Sequence, residues 1–291
     1  MAKTVSWKQL LTETLTSYFA DRGPRLGAAL AFYATFSIAP LLVMAAALSS
    51  LFFSTDTVQA HVKHELIDFA GADATVAILA MVDAAQKSHQ TNFVSSCFGL
   101  VALLVGATGV FIELKDSMNA VWEVDSRKGS TVLQSVFSWV LAIGMVVVIA
   151  FLLLLSMILT SVLISLSQSV AGSTSLAQLI DLVVSTTITT LLFTFIFKYL
   201  PDVKINWEDV WIGGLSTAFL FAVGKHLIGL YMANMVVATA YGAMSSIVVF
   251  LLWMYYSFQI LLLGAEFTRV YAQLNGRQIQ PSLQGQWKLN P

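Results

Sequence analysis

From Gly129 to Ile180 the chain contains no Asp, Glu, Lys or Arg. A soluble fold cannot hide so long an uncharged run, because its surface needs charged side chains at short intervals. Two further windows, 26–55 and 88–112, are equally free of charge. Charged residues make up 11% of the 291 positions and apolar residues 57%, where a soluble domain carries about 25% charged residues. Lipid must therefore solvate much of this chain. The formal net charge of −1 argues against a general nucleic-acid binder, which needs a basic face. The single cysteine, Cys97, excludes an internal disulfide. Ala45-Ala46-Ala47 resembles a leader cleavage site, but the first apolar run starts deep, near Leu26, and is long, so an uncleaved span is expected.

A crossing needs about 20 predominantly apolar residues, and a charge at mid-bilayer is costly. These two limits predict an all-α, polytopic membrane helix bundle of six transmembrane helices, at about 26–53, 93–112, 132–166, 177–198, 209–233 and 241–264. The long uncharged run is divided into two spans at Ser167 to Ser175, a turn-like composition. The fifth span opens at Asn206 as N-cap, with Glu208 and Asp209 in its first turn. With the N-terminus inside, twelve of the Lys and Arg residues fall on inner segments, and only Lys63 and Lys87 on outer ones. The positive-inside rule then places both termini in the cytoplasm of a bacterial cell, with the bundle in its inner membrane.

The bundle is expected to form one domain over 1–274, followed by a flexible cytoplasmic tail over 275–291. Trp7, Leu10, Leu11, Tyr18 and Phe19 recur at helical spacing and predict an N-terminal interfacial helix over 5–21. The outer segment 54–92 reads as a short amphipathic hairpin, its halves separated at Gly71.

Several residues inside the spans are candidates for chemistry. Lys225 and His226 are ionisable groups in span five, and such groups are functional candidates by default. Lys225 shares a helical face with Gly214, Ala218, Ala222 and Gly229. That face can line a cavity for an anionic group. The competing account is that Lys225 snorkels while the small residues pack helices, and His226 is a hydrogen-bonded core residue. Span four carries Asp181, then Ser185, Thr186, Thr189, Thr190 and Thr194 on one side. These hydroxyls either line a polar path or bond backbone carbonyls one turn back. Asp181 is a candidate resting partner for Lys225. Pro40 is a candidate hinge in span one, although membrane helices tolerate proline. His61 and His64, beside Glu65 and Asp68, have metal-ligand spacing but no third strong ligand, so a solvated outer face and no metal are expected. Glu113, Lys115, Asp116, Asn119 and Trp122 form one inner junction, and Glu266 and Arg269 another. Ion pairing between the two would lock the bundle.

Four blocks carry a wider pattern: LGAALAFYATFSIAPLL (26–42), LKDSMNAVWEV (114–124), YLPDVKINWEDVWIGG (199–214) and YGAMSSIVVFLLWMYYSFQILLLGAEFTRVYA (241–272). Their order and spacing resemble the YihY/BrkB family of bacterial inner-membrane proteins across about 10–272. The resemblance implies a six-helix bundle with both ends in the cytoplasm. The family has carried ribonuclease, virulence and transporter-like labels, and the resemblance transfers no catalytic set.

A nuclease needs clustered metal ligands, and this chain has four histidines, only two of them close together. It has neither a G-x-x-x-x-G-K-[ST] loop nor a G-x-S-x-G elbow. The expectation is a non-enzymatic protein that transports or handles a lipid or other amphiphile, with membrane lipids as partners and no cofactor. A structural or assembly role in the envelope is the alternative, and an enzyme the third. Reporter fusions test the topology: one after Asn275 should report cytoplasm and one near Ala72 the outer side, and the reverse at either point rejects six spans with both ends inside.

Overall fold

The computed structural model describes residues 6–35, 75, 76, 79, 109–126, 174–234, 245–277, 279–282 and 285–287. Among them the chain is mostly helical. The helices are α1 (Trp7–Ala20), α2 (23–35), α3 (109–121), α4 (Thr174–Tyr199), α5 (Trp207–Asn234) and α6 (Ser245–Leu274). Four short strands accompany them: β1 (Val124–Ser126), β2 (Val203–Lys204), β3 (Gln280–Pro281) and β4 (Gly285–Trp287). α5 and α6 are long and apolar enough to cross a membrane. The first, second and third expected spans lie largely outside the described residues, as does the outer segment 54–92 apart from 75, 76 and 79.

The chain divides into two compact units, one of 1–23, 115–223 and 260–291, the other of 24–114 and 224–259. In the first, α1 buries Leu10, Thr14 and Tyr18 at steps of four and exposes Trp7, Leu11, Leu15 and Phe19 at the same period. Its end is sharp. Arg22 takes a left-handed φ of 57°, and a Cβ on Gly23 would lie 2.2 Å from the Tyr18 ring, so only glycine fits there. α5 begins as its sequence dictates: the Asn206 carbonyl accepts from the Asp209 and Val210 N–H groups, with Glu208 and Asp209 in the first turn.

α5 and α6 meet through a reciprocal contact of glycine and threonine. A Cβ on Gly213 would sit 1.8 Å from Thr268 Oγ1, and one on Gly264 would sit 1.9 Å from Thr217 Oγ1. Each threonine donates to the glycine carbonyl four residues earlier in its own helix, at 2.7 Å. The hydroxyls are thus satisfied internally, and each threonine side chain, hydroxyl foremost, packs into the space its glycine leaves. α4 also meets a glycine of α5, with Thr194 Oγ1 2.1 Å from the position of a Cβ on Gly214, but this buried hydroxyl makes no hydrogen bond among the described residues.

Of the tail over 275–291, residues 275–277, 279–282 and 285–287 are described. Gly276, at φ 70°, closes α6: its N–H donates to Gln273 O, and the Arg277 N–H donates to Ala272 O. The reversed chain then pairs β3 with β2 and β4 with β1, both antiparallel. Ser282 N–H donates to Asp202 O at 2.8 Å. A polar tail finds order here because two loops offer free strand edges, a signal no local pattern carries.

In the second unit, Leu30, Ala31 and Ala34 of α2 are buried, as are Phe250 and Trp253 of α6. Gly27 leaves room for the Gln259 side chain, whose Nε2 donates to Pro24 O at 3.4 Å.

Gly264→Ala should destabilise the protein by about 1–3 kcal/mol, because the new methyl meets the short, back-bonded Thr217 side chain rather than a flexible one. Thermal unfolding in nanodiscs measures this, and an unchanged midpoint would contradict the interlocked geometry.

Candidate functional site

Charged and amide side chains in the first unit form three clusters. Arg269, on the last turns of α6, is almost fully buried. Its Nη2 lies 3.1 Å from Asp21 Oδ2, at the C-cap of α1, and 2.9 Å from Glu266 Oε2, one turn back. Its Nη1 donates to Glu123 Oε1 in the turn after α3. One guanidinium therefore faces three carboxyl groups. Glu266 is fully buried, and neither of its oxygens accepts a hydrogen bond. The 2.9 Å approach of Arg269 is thus an ion contact without hydrogen-bond alignment.

Asp202 is the second centre. Its Oδ1 lies 3.1 Å from Lys115 Nζ, its Oδ2 accepts from Asn119 Nδ2 at 3.0 Å, and its N–H donates to Asn119 Oδ1 at 2.8 Å. The third is Arg277, whose Nη1 donates to the buried Asp209 Oδ1 at 2.8 Å while Nη2 donates to Glu208 Oε2. This ties the tail to the N-terminus of α5. Beside it, Lys198 Nζ donates to Ile205 O and lies 5.3 Å from the Trp207 ring centroid.

The expected pairing between the inner junctions takes a specific form. Arg269 reaches Glu123, the residue after Trp122, while Lys115 and Asn119 turn to Asp202 instead. Asp21, Glu123, Asp202 and the pair of Arg277 with Asp209 escaped sequence reasoning. Asp202 and Glu123 lie inside the quoted blocks, and that is the signal that could have found them.

The span candidates fall out differently. Gly214 and Thr194 come together, and both are buried. Thr190 Oγ1 donates to Thr186 O at 2.7 Å, the back-bonded arrangement. Ser185 is exposed, and Thr186 and Thr189 are half-buried. Lys225 and His226 are both exposed. The Asp181 side chain, the surroundings of Gly229, and Pro40, His61 and His64 lie outside the described residues. Among the described residues no group of three His, Cys, Asp or Glu is arranged to hold a metal.

Two helices long and apolar enough to cross a membrane, with paired charges at their ends, fit a helical membrane protein. The sequence comparisons agree. The family model described as Virulence factor BrkB matches residues 14–286, and the chain belongs to that family. A UPF0761 membrane protein of Ralstonia nicotianae is 27% identical over 247 residues, 84% of this chain and 54% of the relative. One of Methylibium petroleiphilum is 28% identical over 268 residues, 90% of this chain and 62% of the relative. One of Rhodospirillum centenum is 40% identical over 70 residues, 24% of this chain and 16% of the relative. The chain thus spans about half to three fifths of the first two relatives' length. No solved structure matches.

Asp202→Ala leaves Lys115 without its carboxylate and Asn119 Nδ2 without the Oδ2 acceptor, in a mostly buried setting. The expected loss is about 3 kcal/mol, with Asp202→Asn losing less. Unfolding midpoints of the two variants check the order, and equal, negligible losses would show that the cluster is not structural.

Proposed function

We propose that this chain is a multi-pass protein of the bacterial inner membrane, with six spans and both termini in the cytoplasm, that handles an anionic lipid or other amphiphile and catalyses no reaction. The observation that supports this is the setting of Lys225. It is exposed on α5, whose other exposed side chains include Leu215, Phe219, Val223 and Leu227 at steps of four. An exposed cation on an otherwise apolar helix offers the two parts of an amphiphile a counter-charge and an apolar surface.

The level along the helix suits a headgroup. Lys225 is about 27 Å along the axis from Trp207, against a hydrocarbon core of about 30 Å. The half-exposed Trp207 and Trp211 suit the near interface, as aromatic residues do at membrane boundaries. Lys225 then lies where a phosphate of the far leaflet would sit.

The structural or assembly role is the second reading, and the interlocked Gly213, Gly214 and Gly264 contacts favour it, since they make a packed interior. The two readings part at Lys225. In liposomes containing phosphatidylglycerol and phosphatidylcholine, Lys225→Met should reduce retention and transbilayer movement of the anionic lipid by about tenfold, the worth of one charge-assisted contact. Lys225→Arg should keep most of it. A wild type that neither retains nor moves the anionic lipid preferentially, or a Met variant equal to it, would leave the scaffold reading standing.

A further inference from the structure

The cluster around Arg269 holds more acid than base. Asp21, Glu123 and Glu266 face one guanidinium, so three ionised carboxylates would leave two negative charges uncompensated; Glu123 is solvated and Asp21 partly so, while Glu266 is enclosed. Glu266 is the most enclosed, with no exposed surface and no donor to either oxygen. Asp21 Oδ2 and Glu266 Oε2 lie 3.1 and 2.9 Å from the same nitrogen, Arg269 Nη2, so the two carboxyl groups are neighbours. Two carboxylates in contact repel, whereas a carboxyl and a carboxylate make a short, strong hydrogen bond. We propose that Glu266 and Asp21 share one proton, making the Arg269 cluster a proton-binding site of this protein. The site is independent of Lys225 and of the amphiphile reading.

A proton on Glu266 removes the charge from the enclosed carboxyl and gives it a donor to offer Asp21, while Oε2 stays 2.9 Å from Arg269 Nη2. Asp21 still accepts from Arg269 Nη2, and Glu123 keeps Nη1. The charged groups facing Glu266 are then Asp21 at the end of α1 and Arg269 on its own helix, with Glu123 across the guanidinium. Glu266 lies two residues past the expected end of the sixth span, at 264, on the side where Asp21 and Glu123 meet Arg269. Burial first, and then Asp21, push its carboxyl up to about 8 against the opposing pull of Arg269.

The sign follows from proton counting. Between about 4.5 and about 8 the folded chain holds a proton on Glu266 that the unfolded chain has released. Stability therefore falls as pH rises through that window, the folding constant dropping by up to about tenfold per pH unit from this site, and the fall ends above about 8.

The full chain in nanodiscs, titrated from well below to well above about 8, tests this by infrared spectroscopy and thermal unfolding. A protonated-carboxyl band should be present at neutral pH, disappear as the site titrates, and be absent from Glu266→Gln. Glu266→Gln should also unfold with a flatter pH dependence and gain stability over wild type at the alkaline end. If that variant does not fold, Asp21→Asn serves: removing the proton-sharing partner should shift the band and move its loss to lower pH. A wild type without such a band at neutral pH overturns the proposal. So does a band that both Glu266→Gln and Asp21→Asn leave unchanged.

Discussion

An ion has almost no solvation in hydrocarbon, and the arrangement of this chain follows from that cost. Charges are expelled from the helices to their ends, where partial burial still forbids leaving them single. Arg269 gathers Asp21 and Glu123 from distant parts of the chain, Asp202 gathers Lys115 and Asn119, and Arg277 gathers Glu208 and Asp209. Each centre joins segments that are far apart in sequence, so loops that would otherwise be loose acquire fixed positions. The strand pairings of the tail are a consequence: once Arg277 is held at the start of α5, the next residues lie beside the free edge of β2.

Inside the helices the same cost acts on hydroxyls rather than ions. A threonine in an apolar helix can spend its donor on the carbonyl one turn back, and Thr190, Thr217 and Thr268 all do so. That leaves the side chain free to pack against a neighbouring helix. Glycine opposite it lets two backbones approach closely, which is how helices associate where lipid removes the hydrophobic drive. The small and hydroxyl-bearing residues of α4 and α5 therefore describe contact surfaces at the levels of Gly213 and Gly214.

The elements set by local rules were legible in the sequence. The start of α5 at Trp207 after Asn206, α4 at Thr174–Tyr199 and α1 at Trp7–Ala20 lie close to where charge-free windows, caps and periodicity place them. The continuation of α6 to Leu274, ten residues past the expected end of the span, was not legible, because a hydropathy limit marks where lipid ends and not where a helix ends. The site was legible in part. Glu266, Arg269, Lys115 and Asn119 stood out as charged or amide residues next to spans, but their partners depend on long-range contact. Asp21, 248 positions from Arg269, carries no pattern that points across such a separation.

The backbone gives a reason to regard the Arg269 cluster as more than a fastening. Among the described residues two non-glycine positions take left-handed φ, Arg22 at 57° and Glu123 at 55°, at a cost of about 1–2 kcal/mol each. One adjoins Asp21 and the other is itself a partner of Arg269. Glycine would relieve the strain at 123, but it would also remove the carboxylate. The chain accepts the strain and keeps the acid. For structure alone, one carboxylate would neutralise Arg269, and two more add repulsion and desolvation. An excess of acid held by strained turns is costly to a scaffold, whereas it serves a group that takes up and releases a proton, because a neighbouring carboxylate adds to burial in raising a carboxyl's affinity for its proton.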